Sequence, residues 1–385
     1  MADEKLNYDD VVIVPEPISS IRSRNECDCT DDNNMYPIFA SPMSTVVDES
    51  NWKMYYDNNV NVVIPRTVPI GIRNDILFKY NSNISCIRKP FVAYSLEEVK
   101  IMFFKEKWID DLVTTLSSNY VLRICIDIAN GHMEELISTI KKIKHKYNQH
   151  IIVMSGNIAN PKTYNYYEDA GCDYVRVSIG TGDACLTSSN TGVHYPIFSL
   201  LKETYEIKKA RNGKCKIIAD GGIRGYRDIQ KALIYADYVM LGSVLNKAIE
   251  SAGKTTYGKF YWNILGRRIL RPIKTLIYYG REVDKRDYQK MIKKSRDGKV
   301  DIWKEFYGMS TKKAQKAIME SNGVHRSLKT SEGLIVKRKA EYDFQTWIRN
   351  EIDYLKSAMS YTNSRNLNEY KESKWVVVKG IKYNK

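Results

Sequence analysis

Residues 174–192 read YVRVSIGTGDACLTSSNTG. Tyr174-Val175-Arg176-Val177 has the β-branched and aromatic make-up of a short strand. Gly180 and Gly182 then break it, and glycine tolerates the positive φ that a tight turn needs. The loop delivers Cys185 and Thr187 just past the strand's carboxyl end. A thiol on such a loop is a candidate nucleophile, because surrounding backbone N–H groups favour the thiolate. A buried structural cysteine is the commoner fate of this residue type. The choice between the two rests on what the other strands place at the same end.

Working outward, short apolar runs occur at 36–40 (YPIFA), 60–64 (VNVVI), 91–94 (FVAY), 122–128 (LRICIDI), 150–154 (HIIVM), 173–177 (DYVRV), 214–219 (KCKIIA) and 237–242 (DYVMLG). Each is short, β-branched or aromatic, and bounded by turn residues, as strands are. Helix-like segments lie between them. Glu49–Asn58 is one, and Ser95–Lys107 opens with Ser95 and Glu98 in a capping-box pattern. His132–Lys146 carries Met133, Leu136, Ile137, Ile140 and Ile143 on one 3.6-residue stripe. Pro161–Ala170 starts with a proline suited to the first helical position, and Tyr226–Tyr235 comes after a glycine. Eight consecutive β-α units predict an α/β chain folded as a (β/α)8 TIM barrel. An open doubly wound sheet is the alternative.

The residues just past each run favour the barrel. Ser41-Pro42-Met43 come after the first, Pro65-Arg66 after the second, and Asp127 with Asn130-Gly131 after the fourth. Gly156-Asn157 come after the fifth, the Cys185 loop after the sixth, Asp220-Gly221-Gly222 after the seventh and Gly242-Ser243 after the eighth. In a barrel all of these meet on the carboxyl face, where active sites are built. Ordinary turns account for one or two such positions and poorly for seven. Gly221-Gly222 and Gly242-Ser243, after the last two strands, suit a phosphate held by backbone N–H groups. Asp220 suits a ribose, since a carboxylate accepts two hydroxyl hydrogen bonds; a turn cap is the competing reading.

At 385 residues and 43% hydrophobic content the chain can bury one large core or two ordinary ones. Seven cysteines at irregular spacing give no disulfide framework, and Cys27 with Cys29 is too little for zinc. This predicts a reducing, cytoplasmic setting, in keeping with a polar N-terminus and no run long enough to span a membrane. The net charge of +15 is concentrated between about 254 and 300 and toward the C-terminus, so it is regional. The expected organisation is a single barrel over 1–385, with a basic insertion at 254–300 and a C-terminal helix and tail at 334–385.

These residues carry a family resemblance. LNYDDVVIVP (6–15), SPMSTVVD (41–48), SIGTGDACLTSSNTGVHYP (178–196), IIADGGIRGYRDIQKAL (217–233), DYVMLGS (237–243) and YGMS (307–310) resemble, in order, the motifs of the IMP dehydrogenase/GMP reductase family. ICIDIANGH (124–132), EFYGMS (305–310) and TSEG (330–333) resemble the reductase branch, and the chain has no room for the CBS pair of most dehydrogenases. The resemblance implies NADPH-dependent conversion of a guanine nucleotide to the inosine nucleotide through a Cys185 thioimidate, with Thr187 and Glu332 handling the proton of the departing amine. It implies a nucleotide site from Ser41, Met43, Asp183, Asp220, Gly221, Gly222, Gly242, Ser243, Met309, Ser310, Lys329, Ser331 and Gly333. Asp127, Asn130, Gly131 and Arg66 would face the cofactor. Carbonyls of the Gly180–Cys185 loop, including Gly182, would hold a potassium ion, and the chains would assemble as a homotetramer. Without the TSEG match, Glu332 reads as a solvated charge in a Lys-rich loop.

Several positions depart from the family pattern. Thr181 and Asp183 stand where the family has Pro and Ser, and that Ser normally meets the phosphate. A carboxylate near a phosphate costs about 1 kcal/mol per charge pair at 4 Å in water, and about 4 at an effective dielectric near 20. The expectation is therefore that Asp183 meets a cation, or a hydroxyl of an unusual nucleotide. Pro65-Arg66 replace His-Lys, Leu328-Lys329 replace Arg-Tyr, and Tyr94-Ser95-Leu96 replace a Ser/Gly-rich loop. Two rival functions remain. A dehydrogenase taking IMP to XMP with NAD would need a water-activating base, which Arg281 and Arg286-Asp287-Tyr288 do not reproduce. A weakened family member could instead bind nucleotides or, through the basic insertion, nucleic acid.

Overall fold

The computed structural model describes residues 4–81, 89–106, 109–111, 121–262, 268–274, 293, 301–323 and 327–378. After β1 (Val11–Ile13), the predicted runs form β2 (Ile38–Ala40), β3 (Asn61–Ile64), β4 (Phe91–Tyr94), β5 (Leu122–Asp127), β6 (Ile151–Ile158), β7 (Tyr174–Val177), β8 (Lys216–Asp220) and β9 (Tyr238–Leu241). These eight strands pair in chain order, all parallel, and β9 returns to β2, so the barrel is closed and the open sheet is excluded.

Strand residues alternate between the two sides of the barrel wall, as the period of two requires. In β5, Leu122, Ile124 and Ile126 pack outward under the helices, while Cys125 points inward. The inward core is Phe39, Val63, Phe91, Ala93, Cys125, Met154, Ile218, Tyr238 and Met240. Toward the amino ends of the strands it becomes an aromatic plug. Phe39 meets Phe91 and Tyr238 edge to face at 5.8 and 5.2 Å, and Phe91 meets Tyr174 at 5.3 Å. The Tyr238 hydroxyl donates to Asp31 at 2.8 Å, which satisfies the one polar atom this ring buries.

The helices form where their local signals place them. The Ser95 capping box forms in full: Glu98 Oε2 accepts the Ser95 N–H at 2.6 Å, and Ser95 Oγ accepts the Glu98 N–H at 3.2 Å. Glu98 also pairs at 2.7 Å with Arg73, a fully buried guanidinium that donates to the carbonyls of Val68 and Ala93. The helix Glu134–Tyr147 buries Leu136, Ile140 and Ile143 from the predicted stripe.

A second, antiparallel sheet sits beyond the barrel. It is built from β10 (Thr255–Trp262), β11 (Arg268–Lys274), β12 (Asp301–Tyr307) and β13 (Ile335–Lys339), in the order β11-β10-β12-β13. The basic insertion therefore starts as a hairpin arm; Arg281, Arg286, Asp287 and Tyr288 lie outside the described residues. The segment expected to be helix and tail begins instead with β13. Its sequence IVKRK exposes Lys337 and Lys339, an edge strand whose charges read as a solvated tail. The helix Phe344–Tyr361 comes next, then β14 (Trp375–Val377), which pairs antiparallel with β1. That helix buries Glu351, which accepts from Gln230 Nε2 at 3.1 Å; burial pushes its pKa well up.

Candidate active site

A cleft of about 310 Å³ opens at the carboxyl ends of the barrel strands. Cys185 lines it, on the loop after β7. Its thiol donates to Thr187 Oγ1 at 3.3 Å, and the Thr187 hydroxyl donates to Glu332 Oε2 at 2.7 Å. Glu332 is brought there by backbone pairing. The Leu186 N–H donates to the Glu332 carbonyl at 2.8 Å, the Leu334 N–H donates to the Ala184 carbonyl at 3.0 Å, and Cys185 and Gly333 form an antiparallel bridge. The approach requires Gly333, because a Cβ there would lie 2.8 Å from Thr311 Cγ2. Ser331 Oγ donates to the Gly333 carbonyl at 2.9 Å and shapes the same turn. This geometry removes the reading of Glu332 as a merely solvated charge.

One layer deeper lies a set of charges. Arg176 points inward from β7 and is buried. Its Nη1 donates to Asp127 Oδ1 at 2.6 Å, while Nε and Nη2 reach Asp220 Oδ2 at 2.9 and 2.8 Å. Burial alone would favour a neutral Arg176; the carboxylates of Asp220 and Asp127 outweigh it and hold its pKa well above the usual value. Asn157 Nδ2 adds a bond to Asp220 Oδ2 at 2.7 Å. These three contacts converge on one Asp220 oxygen, Oδ2. Across the cleft, Arg66 Nη1 donates to the Asp127 carbonyl at 3.1 Å, and its Nε is buried with no partner among the described residues.

The glycine turns bound the far end. Gly221 has φ +129°, and a Cβ there would sit 2.5 Å from Thr181 Oγ1. A Cβ on Gly242 would sit 2.8 Å from Met43 Sδ, so this glycine makes room for Met43. Ser41, Met43, Asp183, Gly222, Ser243, Met309 and Ser310 all line the cleft with these residues. Asp183 does meet a cation: Arg338 Nη1 donates to its carboxylate at 3.0 Å. The Arg338 guanidinium lies 4.7 Å from the Phe306 ring centroid, and Phe306 is itself part of the cleft wall.

Other predicted residues stand outside the wall. The Lys329 N–H donates to Gln315 Oε1 at 2.8 Å on the exposed side. Asn130 is exposed and accepts from the His132 N–H at 3.1 Å; Gly131 donates to the Asn157 carbonyl at 2.8 Å. Ser331 and Gly333 act on the turn behind Glu332. Asn157, placed on the carboxyl face by the sequence but given no role, lines the cleft, as do Arg176, Ser178 and Phe306, which sequence reasoning missed as site residues. For Arg176 there is a signal: a lone cation in an apolar strand, two residues from the inward Tyr174.

The Arg66 side chain, 21% exposed beside Asp127, offers its guanidinium to the cleft. For potassium, the Gly180 carbonyl accepts from Ser188 Oγ and the Gly182 carbonyl from the Cys185 N–H, each at 2.9 Å. A carbonyl has a second lone pair, so both remain able to serve. Among the described residues no group of three His, Cys, Asp or Glu is arranged for a metal ion, and no helix is long and apolar enough to cross a membrane.

The chain is thus a closed parallel barrel that sets a thiol, a hydroxyl and a carboxylate in series at its carboxyl face. Residues 105–298 match the family model described as IMP dehydrogenase / GMP reductase domain. A GMP reductase of Streptococcus suis is 30% identical over 293 residues, covering 70% of this chain and 83% of its own length. One from Streptococcus pyogenes matches over the same length at the same identity. The chain belongs to the IMP dehydrogenase/GMP reductase family of oxidoreductases.

Proposed function

We propose that the chain catalyses the NADPH-dependent reductive deamination of a guanine nucleotide, GMP or a deoxy or modified analogue, releasing ammonia and the inosine nucleotide. The observation that carries this is the Cys185–Thr187–Glu332 relay, with links of 3.3 and 2.7 Å. Cys185 Sγ bonds to purine C2, and the C2–N bond breaks as the amine takes up protons. An unprotonated amine is a poor leaving group, so an acid must be near. Glu332, acting through Thr187, passes protons between the thiol and that amine. NADPH, when bound, supplies the hydride that replaces sulfur at C2. The electron pair of the C2–S bond then returns to Cys185.

Asp220 Oδ1 takes the ribose hydroxyls, and backbone N–H groups of Gly222, Gly242 and Ser243 take the phosphate. Arg66 and Asp127, with Asn130 and Gly131 at the rim, receive the nicotinamide end. Loop carbonyls at Gly180, Gly182 and Cys185 are the proposed potassium ligands, and assembly as a homotetramer belongs to the same reading.

The test is a panel of ribo, deoxy and base-modified purine nucleotides with NADPH or NAD, followed at 340 nm with ammonia assayed. Consumption of NADPH with stoichiometric ammonia is expected. NAD reduction with IMP, and no ammonia from any guanine nucleotide, would move the protein to the dehydrogenase reading. Retention of RNA or DNA at physiological salt with no turnover would favour the binding reading. Cys185→Ala is expected to abolish turnover and keep nucleotide affinity within about tenfold, as for a group that acts only in the transition state.

A further inference from the structure

The nucleophile and the acid arrive on different segments that touch along a short ladder. Two backbone hydrogen bonds hold it, from Leu186 to Glu332 and from Leu334 to Ala184. The segment that carries Glu332 runs directly into β13, which pairs with β12 from Ile335 onward. The cysteine loop has only the two bonds of the ladder to hold it there, so a small pivot of that loop would carry Thr187 off Glu332. A third contact holds the other end. Asp183, just before the ladder on the cysteine loop, meets Arg338 on β13 at 3.0 Å.

Arg338 is itself fixed from two sides. Its backbone pairs with Lys304 of β12, and its guanidinium lies 4.7 Å from the Phe306 ring centroid. Phe306 pairs in turn with Val336 of β13. The cation is thus anchored to the second sheet and hands that rigidity to the cysteine loop. Its partner Asp183 lines the cleft, yet the carboxylate is already engaged.

We propose that Asp183 and Arg338 form a latch that sets Glu332 against Thr187, and that both are positioning residues for proton transfer. The proposal rests on the catalytic reading of Cys185, Thr187 and Glu332. It explains why a carboxylate is tolerated in a loop that faces a phosphate: its charge is spent on Arg338. It also places the second sheet in the chemistry, as the fixed wall to which the cysteine loop is tied.

The experiment uses Asp183→Asn, Arg338→Met, Arg338→Lys, the double variant Asp183→Asn/Arg338→Met, and the exchange Asp183→Arg/Arg338→Asp. Each single charge removal is expected to lower kcat about tenfold with KM for the guanine nucleotide within about twofold. The double variant should be no worse than either single one, since the pair acts as a unit. Arg338→Lys should fall between, because it keeps the charge and loses the planar face, and the exchange should recover part of the loss. A second readout needs no substrate: alkylation of Cys185 by iodoacetamide at pH 7, with mass spectrometry of its peptide. Unlatching should speed alkylation in the same direction as Glu332→Gln, because either change frees the Thr187 hydroxyl that holds the thiol. Additive losses in the double variant, a change confined to KM, or an alkylation rate equal to wild type would overturn the latch. If the wild type turns over no guanine nucleotide, the proposed function fails, and alkylation still decides the latch.

Discussion

The two ends of the barrel interior are built from opposite chemistry. Toward the amino ends of the strands, Phe39, Phe91, Tyr174 and Tyr238 close the lumen with aromatic edge-to-face contacts. Toward the carboxyl ends, Asp127, Arg176 and Asp220 fill it with paired charge, and Arg66 stands at the wall. The wall is the same eight strands in both layers. Tyr174 and Arg176, two positions apart in β7, belong one to each layer. The aromatic layer stabilises through area removed from water. The charged layer gives back much of its Coulomb gain in desolvation, so its value lies in fixing two carboxylates in the cleft wall.

The largest effect that sharpens this contrast is expected at Arg176. Arg176→Met strands Asp127 and Asp220, two carboxylates at 13% and 11% side-chain exposure, without their shared cation. Breaking one side of a buried ion pair costs about 3–5 kcal/mol. A large fall in melting temperature is expected together with a fall of at least about a hundredfold in kcat/KM, read by calorimetry and steady-state kinetics. An activity loss confined to one ligand's KM would break the idea that the layer works as a unit.

Phe91→Ala tests the other end. Removing a fully buried aromatic typically costs about 3–5 kcal/mol, so the melting temperature should drop while kcat of the folded enzyme changes less than about twofold. A kcat loss matching the stability loss would erase the division between the layers.

The smallest expected effect is a pH slope away from both. Burial raises the pKa of Glu351, so the folded state keeps a proton that the unfolded chain releases. The stabilisation is fully present below the unfolded carboxyl range, near pH 4.5, and declines as pH rises from there toward the folded value. Glu351→Gln keeps a neutral hydrogen-bonding group facing Gln230 and should flatten that decline in melts from about pH 5 to 9. An unchanged slope would assign it to other groups.

Most of the barrel was legible because its strands are short, apolar runs punctuated by glycine, proline and asparagine, and those signals are local. The capping box at Ser95 and Glu98 was legible for the same reason. Long-range pairing was not. Nothing near Asp183 announces Arg338, 155 positions away, and the charges of β13 disguised a strand as a tail. Arg176 shows in sequence only as a lone cation in an apolar strand, because inward and outward are assigned only when a strand has neighbours. Glu332 is found through the TSEG resemblance; by composition it is one charge among many.

The same distance has a meaning in time. The barrel strands are complete at Leu241, while Glu332 stands 145 positions after Thr187. A ribosome adding about 5–20 residues per second takes about 5–20 s to pass from the last barrel strand to the acid. For that interval Cys185 and Thr187 are already on the chain while Glu332 is not. On the proposed function, chains arrested before residue 332 should turn over nothing, so that the chemistry waits for the late portion of synthesis.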